Sequence, residues 1–380
     1  MAFHLGCLRT LDQLGLLQQA RVLSTVSGGS VIGGIYAAHA GGFPTFEEKV
    51  RATLRRGFLI PALETAIKTP EGLKALLSFG MLAVIWIGLI PIRFLAAVMS
   101  RFNRSHTAVP EEKWVPRRFA SRTTILRRTF DRLLFQGVAL GDLARDRPRL
   151  IVNAAELRTG SAFYFGQDGA GSWRVGKMQS SGIPLAHAVA ASAAYPLALP
   201  ALDEDIVVTK RDGSLARARV TLTDGGVYDN LGLSPLWPDR DPEISVAVEP
   251  VDTIVACRAG YGLRTGNPTL FVGSRMSAVF ATIHGRAQNA TMKRLFDLKE
   301  AKRLRTFVLP YLDQQDSRLA FPPPNLVTRE AVANYPTDFS AMPDEWIERL
   351  SKRGEQLTLA VIREHAPELL PPGWQPAPPP

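Results

Sequence analysis

Phe3, Leu5, Leu8, Leu11 and Leu14 recur at helical spacing, and Gly15 stands where such a helix would end, so the pattern predicts a helix over residues 3–17. A short β-branched run follows from Arg21 to Val26. Next come Ser27-Gly28-Gly29-Ser30 and a small-residue helical stretch, Val31 to Ala40. The opening order is therefore helix, strand, tight turn, helix. Residues 46–74 read as charged helical surface, and Ala75 to Ile92 is uncharged and mostly apolar. Arg149 to Ala155 reads as a core strand, with Phe163-Tyr164-Phe165 as its hairpin partner across Gly160. Ile183 to Ala194 predicts an Ala-rich helix that stops before Pro196. Ile206–Val208 and Val220–Thr223 are extended runs, and the second leads into Asp224-Gly225-Gly226. Val246–Val248 and Thr253–Ala256 are further strand candidates, and Glu345 to Leu359 is an amphipathic helix. The Pro-rich tail within 366–380 is expected to be disordered, and no internal repeat is present.

Composition narrows this picture. A chain of 380 residues with 46% hydrophobic and 21% charged residues has ample core material and is not disordered throughout. The net charge of +10 favours an anionic partner, either nucleic acid or an anionic membrane face. Cys7 and Cys257 are the only cysteines, which excludes a disulfide framework or a Cys-based zinc site and fits a reducing compartment. Met1-Ala2-Phe3-His4 carries no basic segment of the kind that opens a signal peptide.

Two local patterns carry chemistry. A serine on a sharp strand-to-helix turn has its Oγ exposed at a helix N-terminus, which helps hold developing negative charge. The frame Thr25-Val26-Ser27-Gly28-Gly29 fits G-x-S-x-G except at its first position, with Gly28 and Gly29 letting the turn close. Ser30 is the competing serine, but Ile32 takes the last glycine position of its frame. A simple helix cap at Ser27 is the alternative. A phosphate-binding loop is disfavoured, because no Gly-Lys-Ser/Thr follows.

Serine needs a base. None of His4, His39, His106, His187, His284 and His365 sits in a catalytic motif, and His4 and His187 read as structural. Asp224 ends an apolar strand and is followed by Gly225 and Gly226. A carboxylate there can accept a serine proton if its surroundings are dry enough to raise its basicity. A plain Asp-Gly turn is the alternative reading.

Taken in order, these blocks resemble the patatin-like phospholipase family, which pairs a serine in a G-x-S-x-G elbow with an aspartate in a D-G-G or D-G-A motif. Ser27 and Asp224 fall on those positions. Phe3-His4-Leu5-Gly6 with Leu14-Gly15-Leu16-Leu17 is similar to the helix before the family's elbow. Val152 to Gly160 is similar to its central strand and turn, and Ala188 to Pro196 to the block preceding the aspartate. Asp224-Gly225-Gly226-Val227-Tyr228-Asp229-Asn230-Leu231-Gly232 completes the match, which covers about residues 1–260 with weaker echoes to 360.

The resemblance implies an α/β fold with a largely parallel central sheet, helices on both faces and a helical cap inserted over 45–145. Residues 1–365 would form one such domain. It implies hydrolysis of lipid carboxylic esters through an acyl-enzyme, with no metal or organic cofactor and a lipid or phospholipid as substrate. Gly28, Gly29, Gly225 and Gly226 would support the turn and the oxyanion. Family members carry a G-G-G-x-R segment just before the Phe3-His4-Leu5-Gly6 region, and its N–H groups form the oxyanion hole. This sequence starts at Met1, so the expectation is either a start further upstream or a weak, membrane-binding relative.

Ala75 to Ile92 is about long enough to span a bilayer. A single crossing would put Ser27 and Asp224 on opposite sides. An interfacial or re-entrant segment, or a buried cap helix, avoids that. Membrane contact is expected over 75–99, with Arg93, Arg101 and Arg104 meeting headgroups. The chain is thus expected to be cytoplasmic and peripherally membrane-associated. A nucleic-acid partner is not expected, because no recognised binding motif accompanies the charge.

Overall fold

The computed structural model describes residues 1–102, 117–196, 198–241, 248, 250–260, 271–333, 335, 336 and 338–374. The first helix is broken in two, α1 (Ala2–Gln13) and α2 (Leu16–Gln19), because Gly15 adopts a left-handed conformation between them. Then come β1 (Val22–Val26), α3 (Gly28–Ala37), α4 (Phe43–Arg56), α5 (Leu59–Lys68), α6 (Pro70–Phe102) and α7 (Arg122–Phe130). The strands β2 (Arg149–Glu156), β3 (Ser161–Gly166), β4 (Gly169–Ser172) and β5 (Gly176–Met178) precede α8 (Leu185–Ser192). β6 (Leu202–Thr209), β7 (Leu215–Asp224), α9 (Gly226–Asp229), β8 (Thr253–Val255) and α10 (Val272–Glu300) follow. β9 (Thr306–Val308), α11 (Arg329–Val332) and α12 (Asp344–His365) close the order.

The α/β class holds, with a central seven-stranded sheet flanked by helices. The expected strand direction does not. Among the described residues only β1–β2 and the separate pair β8–β9 run parallel; β2 through β7 are joined antiparallel. The reason is local. Gly160 and Gly213 take left-handed conformations in tight turns, so β2–β3 and β6–β7 are hairpins, and a hairpin is antiparallel.

β2 is the hub. Seven of its eight residues are buried, as its Leu-Ile-Val-Asn-Ala-Ala run demands. α3 and α8 pack on one face of the sheet, with α7 against α8. α9 packs on the other face, where the Tyr164 hydroxyl donates to Ser234 Oγ. α4, α5, α6 and α7 lie between α3 and β2 in the chain. The proposed strand at Val246–Val248 lies largely outside the described residues. The ordered chain runs further than the tail was expected to allow. Ala366 is fully buried, and the Arg363 guanidinium lies over the Trp374 ring at 5.5 Å; residues 375–380 lie outside the description.

Candidate active site

The site is created by how β2 shares one of its edges. β1 pairs in parallel with β2 from Arg149 to Asn153, placing Val26 opposite Asn153. β7 pairs antiparallel with the next residues, placing Asp224 opposite Ala154. β1 and β7 therefore lie end to end along a single edge of β2. The residue after β1 is Ser27 and the last residue of β7 is Asp224, so the junction brings the two together.

Ser27 has φ 52° and ψ −128°, a conformation that non-glycine residues rarely adopt, and it stands at the N-cap position of α3 without a side-chain capping bond. Such strain at a strand-to-helix turn is the geometry that exposes a nucleophile. The Ser27 backbone N–H donates to Ser192 Oγ on α8 at 3.0 Å. Gly28 has nothing within 4 Å of the position a Cβ would take, and Gly29 has only His4 Cε1, at 3.9 Å, so the space over the turn is open. At a helix start the first N–H groups lack intrahelical acceptors, and those of Gly28 and Gly29 begin α3.

Ser30, the rival serine, is fully buried. Its hydroxyl bonds Thr25 Oγ1 at 3.1 Å and Ser192 Oγ at 2.8 Å, so it is committed to packing the elbow. Thr25 stands where the elbow pattern has glycine, and the compensation is Gly33 on α3. A Cβ on Gly33 would come within 2.5 Å of Thr25 Cγ2. The threonine hydroxyl donates to the Ile151 carbonyl at 3.1 Å, tying β1 to β2.

Asp224 is 3% exposed. Oδ1 accepts the Gly226 N–H at 2.7 Å, while Oδ2 is buried without a hydrogen-bond partner. Burial raises the carboxyl pKa from 3.8 to about 6, against the opposing pull of the Ser27 hydroxyl and the Gly226 N–H. The Ser27 hydroxyl is thus near enough to stabilise the carboxylate, although no hydrogen bond of normal geometry joins them. Catalytic hydrogen bonds are often long in a free enzyme. Both glycines after Asp224 are needed for close approach: a Cβ on Gly225 would lie 2.2 Å from the Asn153 carbonyl oxygen, and one on Gly226 2.7 Å from Asn230 Oδ1.

Three supporting residues gave no clear signal in the sequence. Ser192 holds the Ser27 N–H. Asn153 donates from Nδ2 to the Thr25 carbonyl at 2.8 Å and to Ser24 Oγ at 2.9 Å, locking the end of β1. Asp229 accepts the N–H groups of Leu231 and Ser234 and shapes the loop after α9. His4 does adjoin the elbow, yet its Nε2 lies 3.2 Å from the Cys257 carbonyl oxygen, and burial lowers its pKa to about 3. It is neutral and held by backbone, in keeping with a structural role. His187 lies with Glu204 and lines a cavity with Phe163 and Phe165 of β3.

A strained serine at the β1–α3 turn thus lies near a buried aspartate across a strand junction of a mixed α/β protein. The chain belongs to the patatin-like phospholipase family, whose model matches residues 1–237. Among solved structures it is similar to VipD from Legionella pneumophila, at 13% identity and a TM-score of 0.38. That likeness covers 96% of this chain and 65% of VipD, so the chain spans just under two thirds of that protein's length. No curated protein matches it.

Proposed function

We propose that this chain is a lipid acyl hydrolase that works at a membrane surface, with Ser27 as nucleophile and Asp224 as its base. The observation that carries the reading is the end-to-end junction of β1 and β7, which sets a strained serine beside a carboxylate whose Oδ2 is buried and unpartnered. Ser27 Oγ attacks the ester carbonyl carbon, and its proton passes to Asp224 Oδ2. The Gly28 and Gly29 N–H groups at the start of α3 face the charge that develops on the carbonyl oxygen. Collapse of the tetrahedral intermediate expels the alcohol, which takes the proton back from Asp224. Water then adds to the acyl-Ser27 ester as Asp224 accepts its proton. Collapse breaks the acyl–Oγ bond, Ser27 Oγ takes the proton back from Asp224, and the fatty acid leaves.

A carboxylate raised to about 6 suits this role. It is ionised at neutral pH, yet more basic than a solvated aspartate. The test is hydrolysis of short-chain p-nitrophenyl esters and of phospholipid vesicles. Ser27→Ala and Asp224→Asn should each cost at least about 10³-fold in kcat, because the two act as one unit. Ser30→Ala should keep most of the rate. Loss of activity in Ser30→Ala with retention in Ser27→Ala would show that the wrong serine carries the acyl group.

A further inference from the structure

We propose that the protein holds a second lipid site, distinct from Ser27 and Asp224, which takes a single acyl chain with its polar head at the rim. β2 pairs with both β3 and β7, so the strands β2 to β7 close into a ring. A cavity of about 220 Å³ lies against this ring, under α7 and α8. Strand register puts Phe163 and Phe165 of β3, Met178 of β5, Ile206 of β6 and Leu222 of β7 on one face, and all five line the cavity. That volume is below the ~300–1,000 Å³ of common drug-sized pockets. It matches one short acyl chain better than the two chains of a phospholipid.

The polar groups are gathered at one place. His187 Nε2 on α8 lies 3.2 Å from Glu204 Oε2, and Arg127 on α7 lies 3.9 Å from Glu204 Oε1. Side-chain exposure rises from His187 (10%) through Glu204 (25%) to Arg127 (38%), so these three lie on the solvent side of the cavity with His187 innermost, beside the exposed Gly182 and Pro184 that also line it. The ring of His187 meets Phe165 edge-on at 5.7 Å, and burial lowers its pKa, so it faces the apolar interior neutral. An apolar interior with a cation, an anion and a neutral hydrogen-bonding ring at its rim matches an amphiphile that carries one chain. Free fatty acid and lysophospholipid share that chemistry.

The cavity is tied to the catalytic region. Leu222 and Asp224 are two residues apart on the same face of β7, roughly 7 Å along the strand. α8 carries both His187 and Ser192, the residue that holds the Ser27 N–H. The site stands whether or not Ser27 is the nucleophile, so it is tested in the Ser27→Ala protein, which would not consume a ligand.

A fluorescent undecanoic acid probe is titrated into Ser27→Ala, and then displaced with decanoic acid or with decanoyl lysophosphatidylcholine. The expected result is one probe bound per chain. Adding Ile206→Trp, which fills the cavity, should weaken binding at least tenfold. Val207→Trp, on the opposite and exposed face of β6, should leave it unchanged. Preferential displacement by one competitor identifies the source of the chain. Equal binding in the Ile206→Trp and Val207→Trp proteins would overturn the proposal. Should Ile206→Trp fail to fold, a photoactivatable fatty acid replaces it: crosslinks within 161–178 and 202–222 support the site, and crosslinks confined elsewhere refute it. Absence of ester hydrolysis in the unaltered protein, with the probe still bound, would sink the hydrolase reading and leave the cavity assignment intact.

Discussion

At the scale of single residues, the protonation of Asp224 links stability to activity. Its folded pKa of about 6 lies above its ordinary 3.8. Between those values the folded chain binds more protons than the unfolded one. The stability contributed by this group is therefore fully present below about pH 4 and falls as pH rises, and the cost is complete above about pH 6. At about 1.4 kcal/mol per pH unit, the ionised carboxylate destabilises the fold by roughly 3 kcal/mol at pH 8. Asp224→Asn should thus be the more stable protein at pH 8 and about equal to the unaltered protein at pH 4, as read by urea unfolding. Equal stabilities at pH 8 would mean the carboxylate is not strained by burial. With Asp224 as the proposed base, kcat/KM of the unaltered protein should rise with pH, with an apparent midpoint near 6. A second residue-scale prediction concerns Thr25. Gly33→Ala puts a methyl 2.5 Å from Thr25 Cγ2 and should cost about 1–3 kcal/mol. Thr25→Ser removes that methyl but keeps the hydroxyl bond to Ile151, so the double variant should recover most of the loss in thermal unfolding. A loss that persists in the double variant would show that Thr25 is not the obstacle.

At the scale of elements, the parts legible in the sequence are those set by local chemistry. The β1–turn–α3 unit is readable because only small residues close such a turn, and the Asp-Gly-Gly end of β7 because two close approaches demand glycine there. The Gly160 hairpin was readable and already makes β2–β3 antiparallel, but the direction of the rest of the sheet was not. A buried run such as Leu150 to Ala155 fits a parallel or an antiparallel centre equally, and the turn at Gly213 and the return of β7 to β2 decide it. Nor was the junction of β1 and β7 readable, since it depends on β2 giving one edge to two partners that are far apart in sequence. Ser192 was hidden in an Ala-rich helix whose pattern speaks only of packing. α12 shows the same limit. Its amphipathic face is plain, yet Arg353 on it is fully buried. That guanidinium donates to the carbonyls of Leu312, Gln314 and Val327 and pairs with Asp316 at 2.9 Å, binding the segment before α11 to α12. Arg353→Ala would strand three acceptors and a carboxylate, and should destabilise the protein by about 3–5 kcal/mol in thermal or urea unfolding. A change under 1 kcal/mol would mean that water replaces the guanidinium freely.

At the scale of the whole molecule, the apolar surface is distributed unevenly. Leu59, Ile60, Leu63 and Ile67 on α5, and Leu73, Leu76, Leu77, Phe79, Val84, Trp86 and Ile87 on α6, are all exposed. Among the described residues α6 alone is long and apolar enough to cross a membrane, over Pro70–Leu89 at a mean hydropathy of 1.9. Only 11% of that window is buried, so α6 is not a core helix. Soluble proteins rarely leave so large an apolar patch uncovered. The flanks of α6 return to one place: Thr129 on α7 donates to Thr65 on α5 at 3.0 Å, and Phe58 and Phe130 stack edge-to-face at 5.0 Å. A single crossing would pull these flanks apart, so the segment should lie in the interface. The net charge of +10 then favours an anionic leaflet, at about 1 kcal/mol for each basic residue near the surface. In liposome flotation, binding should rise with the fraction of anionic lipid and fall with salt. Leu77→Asp with Trp86→Asp should weaken it at least a hundredfold, since each buried side chain of this size contributes about 1.5–3 kcal/mol. Single cysteines placed at Lys74 and Arg104, with Cys7 and Cys257 replaced by alanine, should both react with an impermeant reagent added outside sealed vesicles. Protection of one site but not the other would mean that the helix crosses after all. Unchanged flotation of the double aspartate variant would move the docking surface elsewhere, the next candidate being the exposed Met276, Val279 and Ile283 of α10, where no acidic residue occurs from 272 to 296.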